Sequence, residues 1–176
     1  MTKSIILVGP RACGKTTVGK LLAADLKLTF VDSDEVLQRT TQRSVAQIVD
    51  EEGWEAFRII ESRILQNIAT SGHVIATGGG MVLAENNRNH MKNNGVVFYL
   101  AACADELIKR LEANPAVSQR PSLTGLSILD EMVSVLKSRE PLYQAASHFI
   151  VDANQDKKNV VQQITDYYYQ HINLFS

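Results

Sequence analysis

Eight residues constrain this chain more than any others: "GPRACGKT", Gly9 to Thr16. They satisfy the pattern G-x-x-x-x-G-K-[ST], and their surroundings give that pattern a mechanical meaning. The apolar run "SIILV" precedes them and the helical pattern "TTVGKLLAADL" follows. A glycine-rich loop between a strand and a helix turns its backbone N–H groups toward one spot, where the helix N-terminus favours negative charge. Phosphate fits there, with Lys15 reaching the β and γ oxygens and the Thr16 hydroxyl offered to Mg2+. Ala12, Cys13, Gly14 and Thr17 complete the cradle. A chance glycine turn before a helix is the competing reading, and the strand and helix on either side tell against it. The loop is read as the site of a nucleoside triphosphate.

The rest of the chain supplies the scaffold such a loop needs. Short apolar runs, "SIILVG", "TFVDSD", "HVIATG", "VVFYLA" and "HFIVDA", alternate with longer helical patterns. They are almost continuously apolar, as parallel strands buried on both faces are. Between them Trp54, Phe57, Ile60, Ile64, Leu65 and Ile68 keep helical spacing, and Ser44 with Gln47 forms a capping-box signature. Val160, Val161, Ile164, Tyr168, Ile172 and Phe175 predict a closing amphipathic helix, with the run Tyr167 to Tyr169 divided between core and rim. This alternation argues for an α/β fold: a parallel sheet of about five strands with helices on both faces, in three layers. At 176 residues a single domain, 1–176, buries roughly 70% of its unfolded surface.

Charge and length exclude several partners. Lys plus Arg number 18 against 19 Asp plus Glu, a net charge of −1, which offers no electrostatic footprint for nucleic acid or an anionic membrane. The longest apolar run, Val96 to Ala104, is far shorter than the ~20 residues that cross a bilayer. A cytoplasmic protein is expected. Cys13 and Cys103 suggest reduced thiols. The four histidines, His73, His90, His148 and His171, lack metal-ligand spacing.

Three further features ask for an explanation. Asp32 and Asp34 end the run "TFVDSD" two positions apart; on an extended segment they share a face and both point into the crevice beyond the strand ends. One would be linked to a metal and the other to a hydroxyl; a strand-end turn or a helix N-cap explains them equally well. The stretch "IATGGGM" holds three successive glycines, a place for close backbone approach or a bulge. The polar segment Ala113 to Gly125, with two prolines, reads as a lid, a binding loop or disorder.

Taken in order, these motifs resemble the shikimate kinases. The resemblance spans nearly the whole chain: the phosphate loop with its Thr-Thr, "DSD", "FR" at Phe57–Arg58, "GGG" at Gly78–Gly80, "RP" at Arg120–Pro121 and "SREPLY" at Ser138–Tyr143. The loop wording is closer to the family's type 2 isozyme than to type 1. The resemblance implies a three-layer α/β/α P-loop kinase fold with a mobile lid over about 113–125, and a monomer. It implies transfer of the ATP γ-phosphoryl group to the 3-hydroxyl of shikimate, with Mg2+ as cofactor and ATP and shikimate as the small-molecule partners.

It also implies roles. Lys15, Asp34 and Arg120 become the catalytic set, with Arg120 the lid arginine that meets the phosphates. Arg58 and Arg139 grip the carboxylate of shikimate, a task that suits a planar fork of donors. Asp34 takes the ring hydroxyls, Gly79 and Gly80 approach the ring, and Thr16 with Asp32 holds the Mg2+ shell. Arg110 packs near adenine, and Asp152 to Asn154 border the base mainly through backbone atoms. Each assignment has a plainer rival: a surface ion pair with Glu61 or Glu55 for Arg58, a cation at a helix C-terminus before Pro141 for Arg139, and a solvated pair with Glu106 for Arg110.

Two other functions fit a phosphate loop. One is a related small-molecule kinase, for gluconate or a nucleoside monophosphate, against which the two arginines argue because they suit an anionic ring. The other is a nucleotide-dependent switch. A separate expectation concerns Cys13: standing just before a helix N-terminus, it is either a reactive thiol or an inert one turned into the sheet.

Overall fold

The computed structural model describes residues 3–114 and 127–174. Five strands, β1 (Ser4–Val8), β2 (Thr29–Asp32), β3 (His73–Ala76), β4 (Gly95–Ala101) and β5 (Phe149–Asp152), form one parallel sheet in the order β2-β3-β1-β4-β5. The helices are α1 (Lys15–Leu26), α2 (Ser33–Thr41), α3 (Val45–Ile68), α4 (Glu85–Asn94), α5 (Ala104–Ala113), α6 (Ile128–Ala146) and α7 (Lys157–Leu174), with a 3-10 turn over Met81–Leu83.

The continuous apolar strands are explained by their two covered faces. Along β1, Ile5 and Leu7 enter a core with Val18 and Leu22 of α1, Leu107 and Leu111 of α5 and Val160 and Ile164 of α7. Ile6 and Val8 enter the opposite core with Leu65 of α3, Met91 of α4 and Tyr143 of α6. Strand β4 divides in the same way, Phe98 and Leu100 to one side and Val97 and Tyr99 to the other. All eight of these strand residues are at most 1% exposed, and full burial of such a side chain stabilises by about 1.5–3 kcal/mol. A polar residue at any of them would face a core whichever way it pointed. The three-layer α/β/α fold is therefore as expected from the sequence.

Local signals also behave as expected in part. Ser44 and Gln47 make both hydrogen bonds of the capping box. Val160, Val161, Ile164 and Tyr168 of α7 are buried while Tyr169 is exposed, and Phe175 lies outside the described residues. The helical spacing from Val45 to Ile68 conceals one break: Gly53 has φ 82° and ψ 171°, a left-handed backbone that glycine adopts at no steric cost. The segment ahead of it joins α2 in a small separate core of Leu37, Val45, Ile48, Phe57 and Ile64. Pro141 lies inside α6 rather than beyond its end. Ala113, placed at the start of the lid by the sequence, ends α5 instead. Asn114 caps that helix, and the rest of the 113–125 lid segment, residues 115–125 with Arg120 among them, lies outside the described residues.

Because every strand runs the same way, the loops after all five emerge at one edge. The central strand β1 has β3 on one side and β4 on the other, the arrangement that leaves a crevice beyond the strand ends.

Candidate active site

The loop after β1 is shaped by two glycines. Gly9 has φ 151° and lies so close to the Leu100 carbonyl that a Cβ would sit 2.9 Å from its oxygen. Gly14, at φ 100°, is the N-cap of α1. Lys15 donates from Nζ to the carbonyls of Gly9 at 2.9 Å and Pro10 at 2.7 Å, so its ammonium lies against the loop's opening turn. Cys13 is 1% exposed and belongs to the core beneath. The side chain is turned into the core, as the inert reading expects, with its Sγ 3.6 Å from Lys15 Nζ.

The carboxylate pair departs from expectation. Strand β2 ends at Asp32 and α2 begins at Ser33, so Asp34 stands in the first turn of a helix rather than on an extended segment. Asp32 is the N-cap, its Oδ1 accepting from the amides of Asp34 at 3.0 Å and Glu35 at 3.4 Å. Its other oxygen accepts from the Thr16 hydroxyl at 2.9 Å. The capping and functional readings are thus two halves of one carboxylate. Asp34 still lines the cleft, and a Cβ on Gly78 would lie 3.0 Å from its Oδ1.

The three glycines follow β3. Thr77 donates from its amide and its hydroxyl to the Leu7 carbonyl, and the Gly78 amide donates to the buried Ser33 hydroxyl at 2.9 Å. These bonds pin the turn to β1 and α2. A Cβ on Gly78 would also stand 2.7 Å from Glu61 Oε1, and one on Gly80 would overlap the Arg58 guanidinium. Neither residue has a positive φ. They are glycine because the protein's own site residues fill the space a side chain would need. Gly79 is different: a methyl there would meet its nearest neighbour, the Gly9 carbonyl, at 3.5 Å.

Arg58 does pair with Glu61, one turn along α3, but not on the surface: the Glu61 side chain is only 3% exposed. The guanidinium also lies over the rings of Trp54 at 5.3 Å and Phe57 at 5.1 Å, which orients its plane. Burial pushes the Glu61 carboxyl above its usual range, while the charge and hydrogen bond of Arg58 and the charge of Arg139 pull it down. Arg139 stands in the middle of α6 and not at a C-terminus, and its charge reaches the same carboxylate. Arginines from two elements thus act on one buried acid.

At the other end, Arg110 combines both of its readings. Its Nε donates to Glu106 at 2.9 Å, one turn earlier, and its Nη2 donates to the Ala153 carbonyl at 2.7 Å. Nη1 reaches the Ala12 and Cys13 carbonyls at 3.5 Å. The arginine ties α5 to the phosphate loop and to the turn after β5. In that turn Asn154 accepts from the Cys103 amide and donates to Asp152, so its side chain is committed within the fold.

One cleft of about 1300 Å³ joins these pieces. Ala12, Cys13, Gly14, Lys15, Thr16 and Thr17 line it at the loop, with Asp32 beside Thr16; Arg110, Ala153 and Asn154 line it next to the loop, and Asp34, Arg58, Gly79, Gly80 and Arg139 complete the lining. Of the candidates named above that are described, Asp152 alone does not border this space. Glu61 and Tyr143 border it too, and neither has a role in the site on the reading of the sequence alone. The i,i+3 spacing of Arg58 and Glu61 was visible, whereas burial of the acid depends on the fold. Thr16 and Asp32 offer hard oxygen donors side by side, the donor type Mg2+ takes. No cluster of three His, Cys, Asp or Glu occurs among the described residues, but Mg2+ bound with phosphates and water needs only one or two protein ligands.

Known proteins resemble the chain throughout. The family model for shikimate kinase matches residues 11–169. A protein of Yersinia enterocolitica named Shikimate kinase 2 is 51% identical over 164 residues, covering 93% of this chain and 94% of the relative. One of the same name from Dickeya chrysanthemi is also 51% identical, covering 93% and 95%. Among solved structures, the shikimate kinase of Acinetobacter baumannii in complex with shikimate superposes with a TM-score of 0.89 at 32% identity, covering 97% of this chain and 95% of that one.

Proposed function

This chain belongs to the shikimate kinase family, and on that premise we propose how its cleft moves the γ-phosphoryl group of ATP to the 3-hydroxyl of shikimate. The products are shikimate 3-phosphate and ADP, a step in chorismate and aromatic amino-acid biosynthesis. The observation that carries the reading is the two-ended cleft: a lysine-bearing phosphate loop at one end, two arginines around a buried acid at the other, and Asp34 between.

ATP lies with its phosphates on the backbone of residues 12–17 and its base toward Arg110 and the turn at Ala153 and Asn154. Lys15 exchanges its loop carbonyls for phosphate oxygens and offsets the charge that spreads over them during transfer. Thr16 and Asp32 would hold Mg2+, which would neutralise phosphate charge there. Shikimate enters at the far end. Arg58 and Arg139 take its carboxylate through charge-assisted hydrogen bonds, with Glu61 fixing Arg58 in place. Gly79 and Gly80 bring backbone to the ring, and Asp34 accepts from the attacking hydroxyl. Oxygen bonds to phosphorus as the bridging bond to ADP breaks. Such transfers depend mainly on positioning and charge stabilisation, so the principal task of Asp34 is to aim the oxygen. Arg120, outside the described residues, keeps the phosphate-facing role the family resemblance gives it.

The proposed unit is a single kinase domain acting as a cytoplasmic monomer on small molecules, with neither nucleic acid nor membrane as partner. The near-neutral charge of −1 supports the absence of polyanion binding, and no helix among the described residues is long and apolar enough to cross a membrane. A coupled assay of ADP release tests the reading. ADP should appear rapidly with shikimate and barely without it, while gluconate and a nucleoside monophosphate should not replace it. Equal ADP release with and without acceptor would instead identify a switch or a simple ATPase.

A further inference from the structure

Tyr143 is buried at 1% exposure, yet its oxygen reaches the acceptor end of the cleft. The ring stacks on Tyr99 with centroids 5.1 Å apart and planes 23° apart, within a buried core that holds it in place. From that fixed ring the hydroxyl donates to the Gly79 carbonyl at 2.7 Å. Arg139 stands one turn earlier on α6, and its charge opposes the upward shift that burial imposes on Tyr143. The phenol oxygen therefore ties the glycine turn after β3 to the helix that carries Arg139.

The geometry of a trans peptide gives this contact a consequence. No cis peptide occurs among the described residues, so a carbonyl and the following N–H point to opposite edges of one plane. Holding the Gly79 carbonyl toward Tyr143 turns the Gly80 amide the other way. The amides of Thr77 and Gly78 are already committed to Leu7 and Ser33. Gly79 has no side chain with which to resist rotation of its peptide planes, and the phenol supplies that restraint from outside the turn.

We propose that Tyr143 is a positioning residue for the acceptor: its hydroxyl locks the Gly79–Gly80 peptide plane to α6, the helix that carries Arg139. This rests on the shikimate kinase reading above. Tyr143 contributes no atom to the reaction. It sets the spacing between the backbone that approaches the ring and the cation that takes the carboxylate.

Tyr143→Phe removes the oxygen and keeps the stack. Losing the hydrogen bond that orients this peptide plane should raise KM for shikimate by roughly tenfold, with kcat within about threefold and KM for ATP unchanged. The fold readout is the melting temperature without ligands. A melting temperature that falls while KM for shikimate stays at the wild-type value would overturn the proposal and leave Tyr143 a core residue. Equal rises in both KM values would overturn it as well, because the lesion would then be general. Combining Tyr143→Phe with Arg139→Lys checks the route: the two effects should be less than additive, since the phenol ties the glycine turn to the helix that carries Arg139, and full additivity counts against coupling. Wild-type protein runs beside these variants. If it fails to phosphorylate shikimate, the activity assignment fails first, a result distinct from an active wild type with an unaffected Tyr143→Phe.

Discussion

A methyl group on Gly80 and the guanidinium of Arg58 require the same space: an ideal Cβ would overlap Nη1, Cζ and Nη2 together. The glycine is thus part of the arginine's binding site inside its own protein. Gly80→Ala should push Arg58 off Glu61, leaving a buried carboxylate without its main partner and misaligning the proposed carboxylate clamp. Loss of a charge-assisted hydrogen bond costs roughly 1.5–3 kcal/mol, or about one to two decades of shikimate affinity. Gly79→Ala, whose methyl would meet its nearest neighbour at 3.5 Å, should leave the fold intact. Any effect it has on shikimate affinity then measures how near the ring comes. Titration with shikimate, beside thermal melting, separates the two variants; equal affinities in both would show that Arg58 is not held by this contact.

The two ends of the cleft predict separable defects at Lys15 and Asp34. Lys15→Met should nearly abolish turnover while shikimate affinity stays near the wild-type value, because its nitrogen contacts only the phosphate loop. Asp34→Asn should also cripple turnover, with ATP affinity preserved. Separate titration of each ligand decides it, and lost ATP binding in Asp34→Asn would move that residue to the nucleotide side.

How much of this was legible beforehand varies with the range of the interaction. The phosphate loop needs only local order, so its strand, glycines and lysine could be read directly. The doubly buried sheet was legible for a similar reason, since Ile5 to Val8 have no polar face to present. Asp34 was misplaced because "DSD" can be either extended or the first turn of a helix, and the capping bonds from Asp34 and Glu35 to Asp32 decide for the helix. The purpose of Gly78 and Gly80 was hidden, because the atoms they make room for come from α2 and α3. Glu61 and Tyr143 were hidden likewise: an ion pair at i,i+3 looks the same in sequence whether solvated or buried.

The thiols offer a simple check on the orientation of the phosphate loop. Cys103 is exposed and Cys13 is buried. Under native conditions an alkylating reagent should label Cys103 and leave Cys13 unmodified, with or without Mg·ATP. Peptide mass mapping reads both sites at once. Labelling of Cys13 that nucleotide suppresses would mean the loop turns this thiol outward.

The final prediction concerns pH and lies at the opposite end of the sheet. His148, just ahead of β5, accepts at Nδ1 from the Val97 amide at 3.0 Å, a bond that requires this nitrogen to be unprotonated. Burial first, then the nearby His171, Lys92 and Lys3, lower its pKa to about 4. An unfolded histidine titrates near 6.5, so between these values the unfolded chain holds more protons than the folded one. Stability must then rise with pH across this window. The contribution of His148 is fully present above about pH 6.5 and is lost as pH falls toward 4. His171, whose pKa is also lowered by burial and Lys3, adds a slope of the same sign. Thermal melts should therefore show a falling melting temperature from pH 6.5 down to 4. In His148→Gln, whose side-chain carbonyl can accept from Val97 without titrating, the fall should be shallower, with turnover at neutral pH unaltered because the cleft lies beyond the other strand ends. Parallel melting curves for the two proteins would remove His148 as the source of the acid sensitivity.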